Sequence, residues 1–346
     1  MHFYFARLYT MLAMSLILQS CSAQQDKNVY QNSVSPQQTA SPVFSDDRIS
    51  EVVRIIFQDS KGHMWFGTQN GMFKYNGVSL IHIAEIKSEY GKGVTIKDIA
   101  ESKDGKIWIG HTDGMSCMDG EKVTNYYASD GLINNDVWCI AADAKGDIWI
   151  GTIAGVNIFD GHEFRNFELP KGQIDTTLGI SSAEMVHNIM EDSKGVMWLS
   201  TNAGLFSYSN GRLSHESEEL GIQTNFVNEI MEDDKGDFWI STKEALYHLK
   251  DDNLENITRD KIEIGKGIGS IAEDKNGNIW FVANQHHLYI YNGEDITEYQ
   301  KSEDNRGPVI FQILKDDTDR LWFIGYDGAF RMEDGKFLHV TKDGPW

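Results

Sequence analysis

Residues 186–210 read VHNIMEDSKGVMWLSTNAGLFSYSN, and the frame of this segment recurs seven times along the chain. Its anchor, Trp198, belongs to a column with Trp65, Trp108, Trp149, Trp239, Trp280 and Trp322. Successive gaps are 43, 41, 49, 41, 41 and 42 residues, the period of a four-stranded propeller blade. Twelve residues before each Trp stands Val53, Ile96, Val137, Val186, Val227, Ile268 or Ile310. Nine before it stands Ile56, Ile99, Ile140, Ile189, Ile230, Ile271 or Ile313. Both columns are β-branched throughout, as strands prefer. Three before the Trp comes Gly62, Gly105, Gly146, Gly195, Gly236 or Gly277, with Asp319 in the last copy. Such a residue supplies the positive φ of a tight turn.

Downstream of the Trp, a strand and a turn lead into a third strand. That strand closes on Asn76-Gly77, Asp119-Gly120, Asp160-Gly161, Asn210-Gly211, Asn292-Gly293 or Asp334-Gly335, all hairpin signals. A short outer strand such as Phe164–Phe167 follows. Each repeat therefore holds four antiparallel strands, a to d from the centre outward. The chain is expected to be all-β, a seven-bladed β-propeller over residues 45–346 with almost no helix. The Trp column, fixed among Ile, Leu and Phe, reads as inter-blade core rather than a sugar-stacking platform. Trp138 and Trp346 lie off the column and are expected to be more exposed. The last repeat owns all four strands, and Val43-Phe44 is a candidate extra edge strand.

The pattern V-x-x-I-x-E-D-x-x-G-x-I-W-I-G-T-x-x-G-L-x-x-Y-D-G resembles the two-component regulator propeller repeat, with residues 186–210 and 55–77 its clearest copies. The resemblance spans residues 49–340 and implies the fold, not an activity. It implies a place among extracytoplasmic sensor domains of hybrid histidine kinases, which often sense glycans. The chain ends six residues past Val340, so signalling is expected to pass through a partner, an envelope signalling protein.

Residues 1–20 read as a signal peptide with Arg7 ahead of an apolar run, too short to span a membrane. Leu18-Gln19-Ser20-Cys21 resembles a bacterial lipobox, with Cys21 the lipidated mature N-terminus. The alternative is an ordinary signal peptide cleaved near Ala23. Residues 21–44, rich in Gln, Ser and Asn, read as a flexible tether. The protein is therefore expected in the cell envelope, on the periplasmic or outer-membrane side, held to the membrane by its lipid alone.

Net charge is −21, and loss of residues 1–20 removes one Arg and no acid, leaving −22. That argues against nucleic acid, polyanions and anionic lipid surfaces. Glu191-Asp192, Glu232-Asp233 and Glu273-Asp274 precede the a–b turns, where Asp caps a turn through its side chain. A calcium loop at Asp233–Asp237 is disfavoured by the lysine inside it and the missing distal Glu. Cys117 and Cys139 are either bridged or two buried thiols.

The b–c turns and d–a connections of a propeller gather around its channel mouth, and here the b–c turns vary against a constant core. They supply the candidate ligand-binding set Gln69, Asn70, His111, Asp113, Asn202, Lys243, Glu244, Asn284, His286, His287, Tyr326 and Asp327. Their amide, imidazole and acidic groups, with Tyr326 and Trp138 for stacking, suit a hydroxyl-rich neutral small molecule or glycan. Extra length at residues 170–183 is a candidate lid over the mouth. Blade 6 carries one inserted residue at Asn284-Gln-His-His287, and a His pair can bind a metal or move protons, but no third ligand is evident. There is no phosphate loop, nucleophile elbow or HExxH. The expectation is a non-catalytic sensor-type binder without metal or cofactor. The alternatives are a metal-dependent lyase, since streptogramin lyase is similar at blade level, and a protein–protein adaptor.

Overall fold

The computed structural model describes residues 47–174, 176, 181–222, 224–300 and 309–346. The signal peptide, Cys21, the tether and Val43-Phe44 lie outside them. The described chain forms seven separate four-stranded antiparallel sheets, each in the order a-b-c-d. Blades 1 to 7 cover residues 53–83, 96–126, 137–167, 186–215, 227–256, 268–299 and 310–340. Among the described residues, helix is confined to Glu216–Leu220 and a 3-10 turn at Ala128–Asp130.

Seven apolar clusters fill the gaps between blades. Each joins one blade's Trp to the β-branched pair of the next: Trp65 with Ile96 and Ile99, Trp149 with Val186 and Ile189, and finally Trp322 with Val53 and Ile56. No column Trp keeps more than 8% of its surface exposed. The last of these clusters closes the ring. Gln58 seals the same joint, its Nε2 donating to Asp317 Oδ1 at 2.8 Å while its Oε1 accepts the Asp317 N–H at 2.7 Å. Blade 7 does own all four of its strands, and among the described residues the leading segment adds two isolated bridges to it, Arg48 against Thr341 and Val52 against Tyr326.

The column Gly turns are left-handed as expected, from Gly195 at φ 78° to Gly146 at φ 96°, and Asp319 adopts φ 63° in the seventh copy. In six of the seven blades an Asp caps the a–b turn. Asp192 Oδ1 accepts the N–H groups of Lys194 and Val196, and its Oδ2 accepts Trp198 Nε1–H at 2.9 Å. The Glu before the Asp braces the neighbouring blade: Glu232 accepts the Ser193 N–H at 2.7 Å and Glu273 the Asp234 N–H at 2.7 Å.

Strand a carries the feature that builds the site. In all seven blades its register against strand b slips by one residue just after the first β-branched position. This is a β-bulge, in which two residues oppose one. The bulge lets the residues twelve and nine before the Trp face the same inter-blade core although three apart. The two residues between them, eleven and ten before the Trp, are turned toward the axis of the ring.

Candidate functional site

All seven residues at the first bulge position line one cavity: Arg54, Lys97, Trp138, His187, Asn228, Gly269 and Phe311. Six of the seven at the second position join them: Ile55, Asp98, Asn188, Glu229, Ser270 and Gln312. The cavity measures about 650 Å³, within the range of small-ligand sites. Lys243, Gln285, His286 and Tyr326 from b–c turns, and Lys266 from a d–a connection, place its mouth on the expected face.

The second bulge position also holds neighbouring blades together. Asp98 accepts the Ile140 N–H at 2.8 Å, Asn188 that of Ile230 at 3.4 Å, Glu229 that of Ile271 at 3.3 Å, Ser270 that of Ile313 at 3.1 Å, and Gln312 that of Ile56 at 2.7 Å. Burial pushes the Asp98 carboxyl up to about 7, against backbone N–H groups of Ile140 and Ile99 that pull it down. Burial likewise pushes Glu229 up to about 8. These two acids do what an amide or hydroxyl does in other blades, so their role is structural before it is chemical.

The first bulge position carries basic and aromatic groups in contact. Lys97 Nζ lies 3.6 Å above the Trp138 ring and pairs with Asp136, which also accepts Trp138 Nε1–H at 3.0 Å. Arg54 lies 5.4 Å from the Phe311 ring, whose edge meets Tyr326 at 5.0 Å. Lys243 Nζ lies 4.5 Å from the Phe226 ring, with His187 on that ring at 4.4 Å. Such contacts fix the rings and hold the charges at the wall. Burial lowers the Lys97 and Lys243 ammonium groups from their ordinary value. Burial also takes His187 down to about 4, so it is neutral at pH 7, hydrogen-bonded to Asn202 Oδ1 at 2.7 Å.

Of the twelve turn candidates, the structure brings Lys243, His286 and Tyr326 to the cavity. The others do not line it, although the backbone of every b–c turn is tied down in the same way. In all seven blades the N–H four residues after the Trp donates to the carbonyl thirteen before it, as in Gln69 to Val52, Asn202 to Met185 and Tyr326 to Val309. Asn70 and Glu244 are exposed, each donating its N–H to the hydroxyl of a turn Thr. His111 is fully buried against Ser116, and burial takes it down to about 3. Asp113 accepts from the Glu89 N–H and Asn135 Nδ2–H, Asn202 donates to the Ser182 carbonyl, and Asn284 accepts the Lys266 N–H. Asp327 lies 3.8 Å from Arg48.

The blade 6 insertion is real, since Ala283 pairs with His287 across three turn residues. Its two histidines part company: His287 Nδ1 meets Glu298 at 2.7 Å while His286 lines the cavity. Of the candidate lid, residues 170–174, 176 and 181–183 are described, and none of these lines the central cavity. The Gly172 N–H donates back to Ala183, and residues 169–171 line a separate cavity of about 370 Å³ against blades 3 and 4. Trp138 is half-buried in the wall. Trp346 is half-buried too, stacked on Tyr75 at 4.1 Å rather than open to solvent. Cys117 and Cys139 are free, buried thiols. Among the described residues, Asp233, Asp237 and His248 come within metal-binding reach of one another. But Asp233 is taken by the Trp239 N–H at 2.9 Å and Lys250 Nζ already meets Asp237 at 2.8 Å, so the turn is structural.

Three stretches, residues 47–70, 131–154 and 179–203, match the two component regulator propeller family model. Each runs from the approach to strand a through the b–c turn, so the matches fall in blades 1, 3 and 4. No curated protein matches the chain. Among solved structures it resembles the extracellular domain of BT4673 from B. thetaiotaomicron, described as a one component or hybrid two component system. The TM-score is 0.63 at 19% identity, covering 80% of this chain and 38% of that one, so the chain spans under two-fifths of that domain's length. It also resembles streptogramin B lyase, with TM-score 0.63 at 15% identity over 82% of this chain and 95% of that one, and YCF48 bound to D1 peptide, with TM-score 0.57 at 11% identity over 81% and 91%. At these identities the likenesses show the fold.

Proposed function

We propose that the protein is a non-catalytic, sensor-type binding propeller of the cell envelope, lipid-anchored through Cys21, that takes a small solute in its central cavity and acts through a partner protein. The observation that supports it most is the convergence of seven first-bulge residues on one cavity while the core columns on either side of them stay constant. Diversity on a fixed frame is how binding sites are made specific. The repeat match and the likeness to an extracellular domain support the sensor setting. Asp98 and Glu229, with their raised pKa values, are the groups a catalytic reading would enlist. Asn188, Ser270 and Gln312 make the same inter-blade bond without a charge, which favours the structural role.

A thermal-shift screen of the purified protein against glycans, small organic solutes, antibiotics and divalent ions tests this. Hits are expected to lose their shift in Trp138→Ala and Lys243→Ala and to keep it in Asn70→Ala and Glu244→Ala. Hits that keep their shift in the cavity variants would place the site elsewhere. Magnesium-dependent turnover of a hit, abolished in His286→Ala, would favour a lyase. Co-purification of an envelope protein with no hits would favour an adaptor.

A further inference from the structure

Against the chain's acidity, the cavity wall is basic. Among the described residues it presents Arg54, Lys97, Lys243 and Lys266, against two carboxyls, Asp98 and Glu229, that burial raises to about 7 and about 8, in a protein of net charge −21. Three of the four are held against aromatic rings: Lys97 on Trp138, Arg54 on Phe311 and Lys243 on Phe226. Lys266 Nζ is 3.4 Å from Gln285 Oε1, and Lys243 Nζ is 3.3 Å from the Lys266 carbonyl, so these two ammonium groups are gathered on one side of the mouth. Lys97 is paired with Asp136, but the basic groups still outnumber the charged acids of the wall, and this surplus gains when an anion enters. The Phe226, Phe311 and Tyr326 rings and the Trp138 indole give the same space flat apolar panels. The turn residues alone suggested a neutral, hydroxyl-rich ligand. The cavity differs because most of those polar turn groups face solvent or bond to other parts of the protein.

Resting on the reading of the cavity as the binding site, we infer that its ligand is a small organic anion: a flat apolar body bearing a carboxylate, sulfonate or phosphate group. The acidic group meets Lys243 and Lys266 at the mouth and Lys97 and Arg54 at the wall, and the flat body lies along Trp138 and Phe226. A surrounding negative surface keeps polyanions and anionic membranes away, so selectivity is for a compact anion able to pass the mouth.

Calorimetric titration of the purified full chain with benzoate, benzenesulfonate, phenyl phosphate, benzyl alcohol and inorganic phosphate tests this. At least one aromatic anion is expected to bind roughly tenfold or more tightly than benzyl alcohol and than inorganic phosphate, and to weaken as salt rises. Lys243→Gln and Lys97→Gln should each weaken it by about tenfold or more, with Lys97→Arg retaining binding. Circular dichroism and thermal melts of each variant separate lost binding from lost folding. Equal affinity for benzyl alcohol and benzoate, or binding of none of the aromatic anions, would overturn the anion inference. If a neutral compound binds and Trp138→Ala removes it, the cavity reading survives without the anion. Aromatic-anion binding that persists in Trp138→Ala and in both Lys→Gln variants would end both.

Discussion

At the scale of single residues, the Asp that stands six before the column Trp in six of the seven blades illustrates how one carboxylate organises a turn. Asp143 accepts the N–H groups of Lys145 and Asp147 at 2.9 Å each and Trp149 Nε1–H at 3.1 Å. Blade 2 has Ser102 instead, and Trp108 Nε1–H still finds its hydroxyl at 3.0 Å. Asp143→Ala should therefore cost roughly 2–4 kcal/mol in urea unfolding, and Asp143→Ser measurably less. The acids of this protein pull stability in opposite directions with pH. For Asp59, Asp274 and Asp316, burial acts to raise the pKa, but hydrogen bonds from Trp, backbone and neighbouring side chains outweigh it and the net shift is down. Their contribution is complete above the unfolded value near 3.8 and is lost as pH falls through the folded one. Asp98 and Glu229 have folded values raised to about 7 and about 8 from 3.8 and 4.5, so the folded state holds the extra protons. Their stabilising share is complete below the unfolded values and declines as pH rises to about 8. Asp98→Asn and Glu229→Gln, which keep an acceptor for Ile140 and Ile271, should raise the melting temperature at about pH 9 and change it little at about pH 5. An equal effect at both pH values would show that these carboxyls do not titrate as described.

At the scale of elements, the strand b position two after the Trp is Gly in blades 1, 2 and 3, where the blade's own strand a and the next blade crowd it. A Cβ on Gly67 would lie 2.6 Å from Ile96 Cγ2, one on Gly110 2.7 Å from Val137 Cγ1, and one on Gly151 2.3 Å from Cys139 Sγ and 3.0 Å from Val186. Gly110→Val should destabilise by about 1–3 kcal/mol or more, from overpacking an inter-blade core. A stability unchanged within error would mean the blades sit further apart. The same strands explain what the sequence revealed and what it hid. The Trp, Gly and β-branched columns were legible because every blade needs them. The cavity was hidden because it is built from what varies between those columns. Variation drew attention to the b–c turns, yet among the described residues of those turns only Lys243, Gln285, His286 and Tyr326 line the cavity. The available signal was the spacing of three between two core columns on one strand. A regular strand would put those residues on opposite faces, so equal burial requires a bulge and turns the pair between them to the channel.

At the scale of the whole molecule, the ring is a sum of like interfaces, closed where Gln58 meets Asp317 and Trp322 packs on Val53 and Ile56. Seven similar contacts leave the frame rigid and free the inner wall to specify a ligand. Its proposed setting rests on Cys21, outside the described residues. Cys21→Ala should shift the protein from the membrane to the soluble fraction, with mass spectrometry of the wild type showing a lipidated N-terminal Cys. A variant that stays equally membrane-bound would remove the anchor from the account. The central claim is that the first-bulge residues of strand a form the binding site. The most direct test is a crystal structure of the protein grown with the tightest compound from the screen. The account predicts ligand density inside the ring, against Trp138, Phe226 and Lys97. Density beside Phe167 and Leu169, under the blade 3–4 connection, or on the exposed turns at Asn70 and Glu244 with the cavity empty, would contradict it.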